Sequence, residues 1–199
     1  MARKAIIMVP LVVLIVLAVF FTLAYLVTTW FRIPREFGFS FPVRFIGLLL
    51  LLSGLGFLGW LFKYRRPVDV LISTYVTFSK AAEGQVQLKE PSGRTEPLVV
   101  KGPYRYVRHP LYSDVVLLIL GWWLLLDYSF LLIAAFLLLL WFGFVVTRFE
   151  ERELRAIFGE DYERYASQVP RIIPFTNELG RLLGRLGSNL KSKQENRAE

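Results

Sequence analysis

Two apolar runs, at residues 111–126 and 130–147, are separated by only Asp127, Tyr128 and Ser129. At 1.5 Å per residue a helix over either run extends about 24–27 Å, close to the ~30 Å hydrocarbon core of a bilayer. So short a polar gap forces the chain to turn straight back, which predicts an antiparallel helical hairpin. The first arm is short for a full crossing and is expected to sit low or to thin the bilayer locally. A hairpin returns the chain to the side it left. Whatever precedes residue 111 should therefore meet whatever follows residue 147.

Two earlier runs have the same character. Residues 5–31 can cross a bilayer, with only Arg3 and Lys4 as charges ahead of them. The run is too long for the apolar stretch of a signal peptide, and Thr28, Thr29, Trp30 and Phe31 do not form a small-residue cleavage site, so it reads as a retained transmembrane helix. A loop with Pro34, Gly38 and Pro42 leads to a second span at 43–62. The chain is 55% hydrophobic, with a mean hydropathy of +0.48. These features predict an all-α integral membrane protein with about four transmembrane helices.

The polar stretch between residues 63 and 110 carries EGQ at 83–85 and PSGRTEP at 91–97, which read as turns. Residues 68–78 are rich in β-branched and aromatic side chains and suit either a strand or an interfacial helix. Beyond Arg148 the chain is charged, with Leu154, Ile157 and Phe158 at helical spacing. Residues 178–190 place Leu179, Leu182, Leu183, Leu186 and Leu190 on one face, as in a helix lying in the interface. Residues 191–199 have the composition of a disordered tail. The expected organisation is two N-terminal spans (1–62), a core of connector, hairpin and following helix (63–175), and a C-terminal interfacial segment (176–199).

The charges set the topology. The chain has a net charge of +8, and its basic residues lie between the apolar runs, which points to anionic lipid and membrane orientation rather than to nucleic acid. The 63–110 stretch carries nine lysines and arginines and the part from Arg148 onward carries ten, whereas the hairpin turn carries none. This asymmetry places both termini and both polar segments in the cytosol, where they can form a cytosolic cap and one site. Cysteine is absent and His109 is the one histidine. Thiolate and histidine-rich metal centres are therefore excluded, and no metal is expected.

Residues 54–59, Gly54-Leu55-Gly56-Phe57-Leu58-Gly59, spell GxGxxG. A dinucleotide fold needs that loop between a strand and a helix. Here it lies inside an apolar span, where small residues serve close helix packing. Chemistry is better sought at the hairpin's two ends. Arg105, Arg108 and His109 stand just before it, and Glu150 and Glu151 just after. The hairpin should bring Arg108-His109 against Glu150-Glu151 as one charged pocket. A salt bridge that merely pins the hairpin is the plainer alternative. Likewise Tyr162 and Tyr165 suit interface anchors, and Trp122, Trp123 and Trp141 suit lipid or helix contacts.

The motifs around the hairpin have a familiar order. RHPLY at 108–112, preceded by KGPYRYV at 101–107, resembles the isoprenylcysteine carboxyl methyltransferase and phospholipid methyltransferase superfamily. So do EExxL at 150–154, FGxxYxxY at 158–165 and VPRxxP at 169–174. The resemblance covers roughly residues 97–175, and the first two spans match in character alone. It implies an S-adenosylmethionine-dependent methyltransferase that holds this cofactor without a Rossmann domain. By motif, the implied cofactor-binding residues are Leu98, Val99, Gly102, Tyr104, His109, Tyr112 and Glu150, with Tyr162 a lesser candidate. Arg108, Arg148 and Glu151 are the implied catalytic residues, Glu151 as a base if the acceptor is an amine. Family members often carry an arginine four residues before the first glutamate that helps fix the acceptor. Here that position is Val146, and the arginine is Arg148.

The expected activity is methyl transfer to a lipophilic small molecule or lipidated acceptor at the membrane–cytosol interface, of the isoprenylcysteine-carboxylate or phospholipid-amine kind. Membrane lipids are expected partners and nucleic acid is not. Two other classes remain open at this point: a non-enzymatic polytopic protein such as a small transporter or scaffold subunit, and a membrane reductase using a nicotinamide cofactor. A transporter should carry ionisable residues near the bilayer midplane, and the spans have almost none.

Overall fold

The fold is given by a computed structural model that describes residues 2–82, 97–174 and 176. Among these residues every regular element is helical. The chain runs through α1 (Ala2–Trp30), α2 (Phe41–Tyr64), α3 (Pro67–Ala82), a 3₁₀ turn (Gly102–Arg105), α4 (Pro110–Leu126), α5 (Ser129–Trp141), a π-helical segment (Phe142–Val146) and α6 (Thr147–Gln168). The turns expected at 83–85 and 91–96, the interfacial helix at 178–190 and the tail at 191–199 lie outside the described residues.

Three helical stretches are long and apolar enough to cross a membrane: Lys4–Trp30, Phe41–Tyr64 and Ser129–Gln168. The apolar part of the third ends at Val146, and charged residues recur along α6 thereafter. The helix Pro110–Leu126 is apolar but shorter. Its 17 residues extend about 25 Å, the short hairpin arm expected from the sequence. The protein is thus an all-α, multi-pass integral membrane protein. α4 packs most extensively on α2 and also on α5, while α1 packs on α5 and α3. The order across the bundle is α2, α4, α5, α1, with α3 against α1.

The ambiguous stretch at 68–78 is helical. Pro67 opens α3 at its first position, where a missing N–H costs nothing, and Asp69 sits in the first turn, where a negative charge suits the helix dipole. The second hairpin arm does not stop at residue 147. It continues through the π segment into α6, so the helix that crosses the membrane also delivers the charged residues beyond it.

Glycine packing explains the α2–α4 contact, though not by the motif first suspected. A Cβ on Gly47 would lie 2.6 Å from the backbone N of Leu125, and one on Gly121 would lie 2.9 Å from Leu51 Cγ. Gly54 behaves as expected, since its Cβ would fall 2.6 Å from Leu118 Cδ2. Gly56 and Gly59 have nothing within 4 Å of the Cβ position. The close approach therefore uses Gly47, Gly54 and Gly121. Asp114 lies in this same seam, 1% exposed, and it is the buried ionisable group that the apolar reading of the spans passed over.

The end of the bundle away from α6 is tied by Asp127. This residue caps α4 in the left-handed region (φ 65°), a conformation that aspartate tolerates better than most residues. Its Oδ1 accepts the N–H of Phe37 at 2.9 Å and its Oδ2 that of Phe39 at 2.7 Å. Arg44 adds an ion pair at 3.6 Å and donates to the Leu125 carbonyl at 3.0 Å. The α1–α2 loop and the hairpin turn thus meet at one end. The segments before α4 and after α5 meet at the other.

Candidate active site

Pro110 starts α4, so His109 falls at the helix N-cap, on the rim of the apolar layer. The returning helix places Glu150 and Glu151 opposite it. His109 Nδ1 lies 3.0 Å from Glu150 Oε2, and Nε2 lies 3.4 Å from Glu151 Oε1. Arg108 Nη2 lies 3.2 Å from the same Glu151 oxygen. The Tyr112 hydroxyl donates to Glu150 Oε1 at 2.7 Å. The hairpin has brought its basic and acidic ends together as the three-residue turn requires.

The rings stack in a column: His109 on Tyr112 at 5.8 Å between centroids, and Tyr112 on Phe142 at 4.5 Å. Phe142 opens the π segment. π turns are rare and cluster at functional sites. Here the Gly143 carbonyl accepts the Thr147 hydroxyl at 3.0 Å and Arg171 Nη1 at 3.4 Å, so Arg171 ties the π turn to the charged cluster.

Arg171 was missed by sequence reasoning. Its Nε donates to Glu151 Oε1 at 2.9 Å and its Nη2 to Oε2 at 3.0 Å. The segment that carries it is laced to the start of α4. Arg108 N–H donates to the Pro170 carbonyl at 2.9 Å and His109 N–H to the Arg171 carbonyl at 3.0 Å. The Ser113 hydroxyl donates to the Ile172 carbonyl at 2.6 Å. Gly159 makes this return possible. It breaks α6 at φ 51°, ψ −125°, a conformation that glycine alone adopts readily. Beyond the break Tyr165 donates its hydroxyl to the Tyr104 carbonyl at 2.6 Å, and Tyr162 is fully buried. The VPR motif carried the available signal, but nothing in its spacing named Glu151 as the partner.

The cluster has a defined electrostatic state. Burial opposes charge on His109, but its hydrogen bonds to Glu150 and Glu151, with their negative charges, outweigh that cost and raise the imidazole pKa above its ordinary value. Burial would likewise raise Glu151. The hydrogen bonds from His109 and Arg171, with the charges of Arg108 and Arg171, overcome it and hold the carboxyl down at about 2.

A cavity of about 850 Å³, part of it open to solvent, lies beside this cluster. Of the candidate residues, Leu98, Val99, Tyr104, Arg108, His109, Tyr112, Glu150 and Tyr162 line it. Gly102, Arg148 and Glu151 do not. Gly102 (φ 61°) faces the Tyr64 ring, which a Cβ would approach to 2.5 Å, so its place is explained by packing. Arg148 is exposed and lies over the Phe144 ring at 5.4 Å. Glu151 sits behind the wall, 0% exposed. The sequence did not single out Leu61, Arg65, Val70 and Thr74, which complete the wall from α2 and α3. Among the described residues no group of histidine and carboxylate side chains could hold a metal ion.

The family profile of the phospholipid methyltransferases matches residues 44–161, from α2 to beyond the Gly159 break. The chain belongs to the phospholipid methyltransferase family. Among curated proteins it is similar to methanethiol S-methyltransferase of Crocosphaera subtropica, 37% identical over 129 residues, covering 59% of this chain and 44% of that protein. It is similar also to protein-S-isoprenylcysteine O-methyltransferase of Schizosaccharomyces pombe, 34% identical over 137 residues, covering 68% and 54%. Protein-S-isoprenylcysteine O-methyltransferase B of Arabidopsis thaliana is 37% identical over 82 residues, covering 40% and 41%. The chain thus spans about half the length of the curated relatives it matches. No solved structure matches it at a significant level.

Proposed function

We propose that this protein is a membrane methyltransferase that uses S-adenosylmethionine and acts on a lipophilic acceptor at the cytosolic face. The observation that carries the reading is the joining of His109, Tyr112 and Glu150 on one wall of a cavity at the membrane rim. Small-molecule sites combine apolar walls with a few convergent polar groups, and this cavity has both.

The donor set suits the cofactor's chemistry. Glu150 offers a carboxylate to an ammonium, and the ring of His109 offers a donor to a carboxylate. Tyr104 and Tyr112 offer ring faces, and the irregular backbone at 97–100 offers hydrogen-bonding groups. When bound, the cofactor supplies an activated methyl group on a positively charged sulfur. The chain's own residues then orient donor and acceptor and exclude water, which is where catalysis by alignment has its source. Leu61, Val70, Leu154 and Phe158 give the pocket apolar walls for a lipid-like tail. Glu151, clamped and fully ionised, acts as a positioning residue for Arg108 and His109 rather than as a base. Arg148 points away and takes no part. The excess of lysine and arginine around the pocket end supports a cytosolic side for that end and for both termini.

Calorimetry of the detergent-purified, folded protein with S-adenosylhomocysteine tests the proposal. Saturable binding is expected. No binding up to millimolar ligand overturns it.

A further inference from the structure

We propose that Arg148 and Arg152, on the outer face of α6, form a headgroup site for one anionic phospholipid in the leaflet at the pocket end. The site stands apart from the cavity and does not depend on the methyltransferase reading.

The apolar run that crosses the membrane stops at Val146, and Arg148 and Arg152 are the first basic residues after it. At 1.5 Å per residue they lie about 3 and 9 Å further along the helix axis. The headgroup layer adds roughly 5–8 Å to each side of the hydrocarbon core, so the two side chains bracket it. Four residues apart, they are neighbours on one helix face, with Cβ atoms about 5–6 Å from each other. Just before them Phe144 and Val145 are 59% and 53% exposed. The Arg148 guanidinium rests over the Phe144 ring at 5.4 Å. An acyl chain thus meets an exposed apolar ledge with guanidinium groups at its upper edge.

No carboxylate answers these two charges. Both arginines are exposed, and neither makes an ion pair among the described residues. The carboxylate three residues after Arg148 is Glu151, which is 0% exposed and held by Arg171. The residues three and four away from Arg152 are Arg148, Phe149, Arg155 and Ala156. Arg155 is already committed to Glu163 at 2.7 Å and to Glu151 at 3.6 Å. Every exposed position from 147 to 156 is one of Arg148, Arg152, Arg155 and Ala156, and the exposed acids Glu160, Asp161 and Glu163 come only after the Gly159 break. The part of α6 nearest the membrane therefore presents basic charge alone. Like charges four residues apart repel and weaken a helix. A phosphodiester between them removes the repulsion and accepts charge-assisted hydrogen bonds from both, for which the planar guanidinium is well shaped. The arginines alone would serve any anion. The ledge at Phe144 and Val145 favours one that carries acyl chains.

The test is native mass spectrometry of the detergent-solubilised full chain, titrated with phosphatidylglycerol or with phosphatidylcholine of identical acyl chains. The first phosphatidylglycerol should bind at least about tenfold tighter than the first phosphatidylcholine. Arg148→Gln and Arg152→Gln should each weaken phosphatidylglycerol binding about fivefold, the scale of one basic side chain at an anionic lipid surface. The double variant should erase the preference. Glutamine matches arginine closely in helix propensity, so these surface variants should fold. Arg105→Gln, which removes an exposed arginine outside the ledge, should keep the preference.

Equal affinity for the two lipids in the wild type overturns the proposal. So does a loss with Arg105→Gln as large as that with Arg148→Gln, which would mark a diffuse attraction of the whole basic end. Glycerol 3-phosphate at millimolar excess should fail to displace the lipid; displacement would assign the arginines to a free phosphate and overturn the lipid site. Binding of hexaglutamate without any lipid preference would assign them to an acidic protein segment, with the same consequence. S-adenosylhomocysteine affinity should match wild type in both single variants. A loss that paralleled the lipid effect would place these arginines in the pocket and sink the separate site, whereas failure of the wild type to bind that ligand would strike the proposed function alone.

Discussion

Arg171 grips both carboxylate oxygens of Glu151, at 2.9 and 3.0 Å. Around the same carboxylate stand Arg108 at 3.2 Å, His109 at 3.4 Å and Arg155 at 3.6 Å. One fully buried anion thus gathers cationic groups from three places in the chain. Removing the anion strands them; removing one cation leaves the others in place. Glu151→Ala should cost about 3–5 kcal/mol, the scale of a broken buried ion pair. Arg171→Met should cost less, about 1–3 kcal/mol. Thermal unfolding of the two variants in nanodiscs checks the order, and a larger loss in Arg171→Met would contradict it.

The same cluster sets a pH dependence with two limbs. Glu151 has its pKa lowered from 4.5 to about 2, so its contribution to stability is complete above about 4.5 and is lost as pH falls toward 2. His109 has its pKa raised from 6.5, so its contribution is complete below 6.5 and is lost as pH rises through the folded value. Stability from these groups should be greatest between those limits. Apparent Tm at a fixed scan rate, followed from pH 5 to 9, should fall on the alkaline side. His109→Gln should flatten that limb, and an unchanged limb in the variant would refute the coupling.

Cofactor affinity should separate residues on the cavity wall from those beside it. Tyr112→Phe removes a hydrogen bond to the Glu150 carboxylate and should weaken S-adenosylhomocysteine binding by about 1.5–3 kcal/mol. Arg148→Ala should leave binding unchanged, because its side chain is exposed over Phe144. Calorimetry on both variants distinguishes this arrangement from one in which Arg148 substitutes for the arginine that family members carry near Val146.

The sequence revealed the hairpin because a three-residue gap between long apolar runs admits no other course. It revealed the pairing of His109 with Glu150 because an antiparallel hairpin must return to its starting side. Arg171 was hidden, since its reach to Glu151 depends on the break at Gly159, whose dihedral angles no residue pattern states. The clamp at Asp127 was hidden for a different reason. Its partners are the backbone N–H groups of Phe37 and Phe39, and every non-proline residue carries that donor. The stretch at 68–78 was undecidable because β-branched residues suit strands, yet Pro67 and packing against α1 settle a helix. The clamp on Glu151 was hidden too, because a lone carboxylate in a motif says nothing about how many guanidinium groups surround it.

Asp127 offers a control at the far end of the bundle. Asp127→Ala loses the acceptors for Phe37 and Phe39 and places alanine at φ 65°. A cost of about 2–4 kcal/mol follows from two lost bonds and the left-handed conformation. Asp127→Asn keeps one oxygen acceptor and tolerates that conformation, so it should be milder. Both should retain S-adenosylhomocysteine affinity when folded, because the clamp and the pocket lie at opposite ends of the bundle. Reduced affinity in a fully folded Asp127→Asn protein would show that the two ends are coupled.

The glycines of α2 make the packing claim testable within one helix. At Gly47 a Cβ would lie 2.6 Å from the Leu125 backbone, which cannot move without shifting α4. At Gly54 the nearest atom is the Leu118 side-chain end at 2.6 Å, which can turn aside. At Gly56 nothing lies within 4 Å. Alanine should therefore be most damaging at 47, by about 1–3 kcal/mol as for overpacking. It should be milder at 54. At 56 it should be neutral or stabilising by about 0.5–1 kcal/mol, because alanine restricts the unfolded chain and favours the helix. Apparent Tm of the three single variants gives the ranking directly. If Gly56→Ala proved as harmful as Gly47→Ala, the GxGxxG run would have a role that helix packing does not explain.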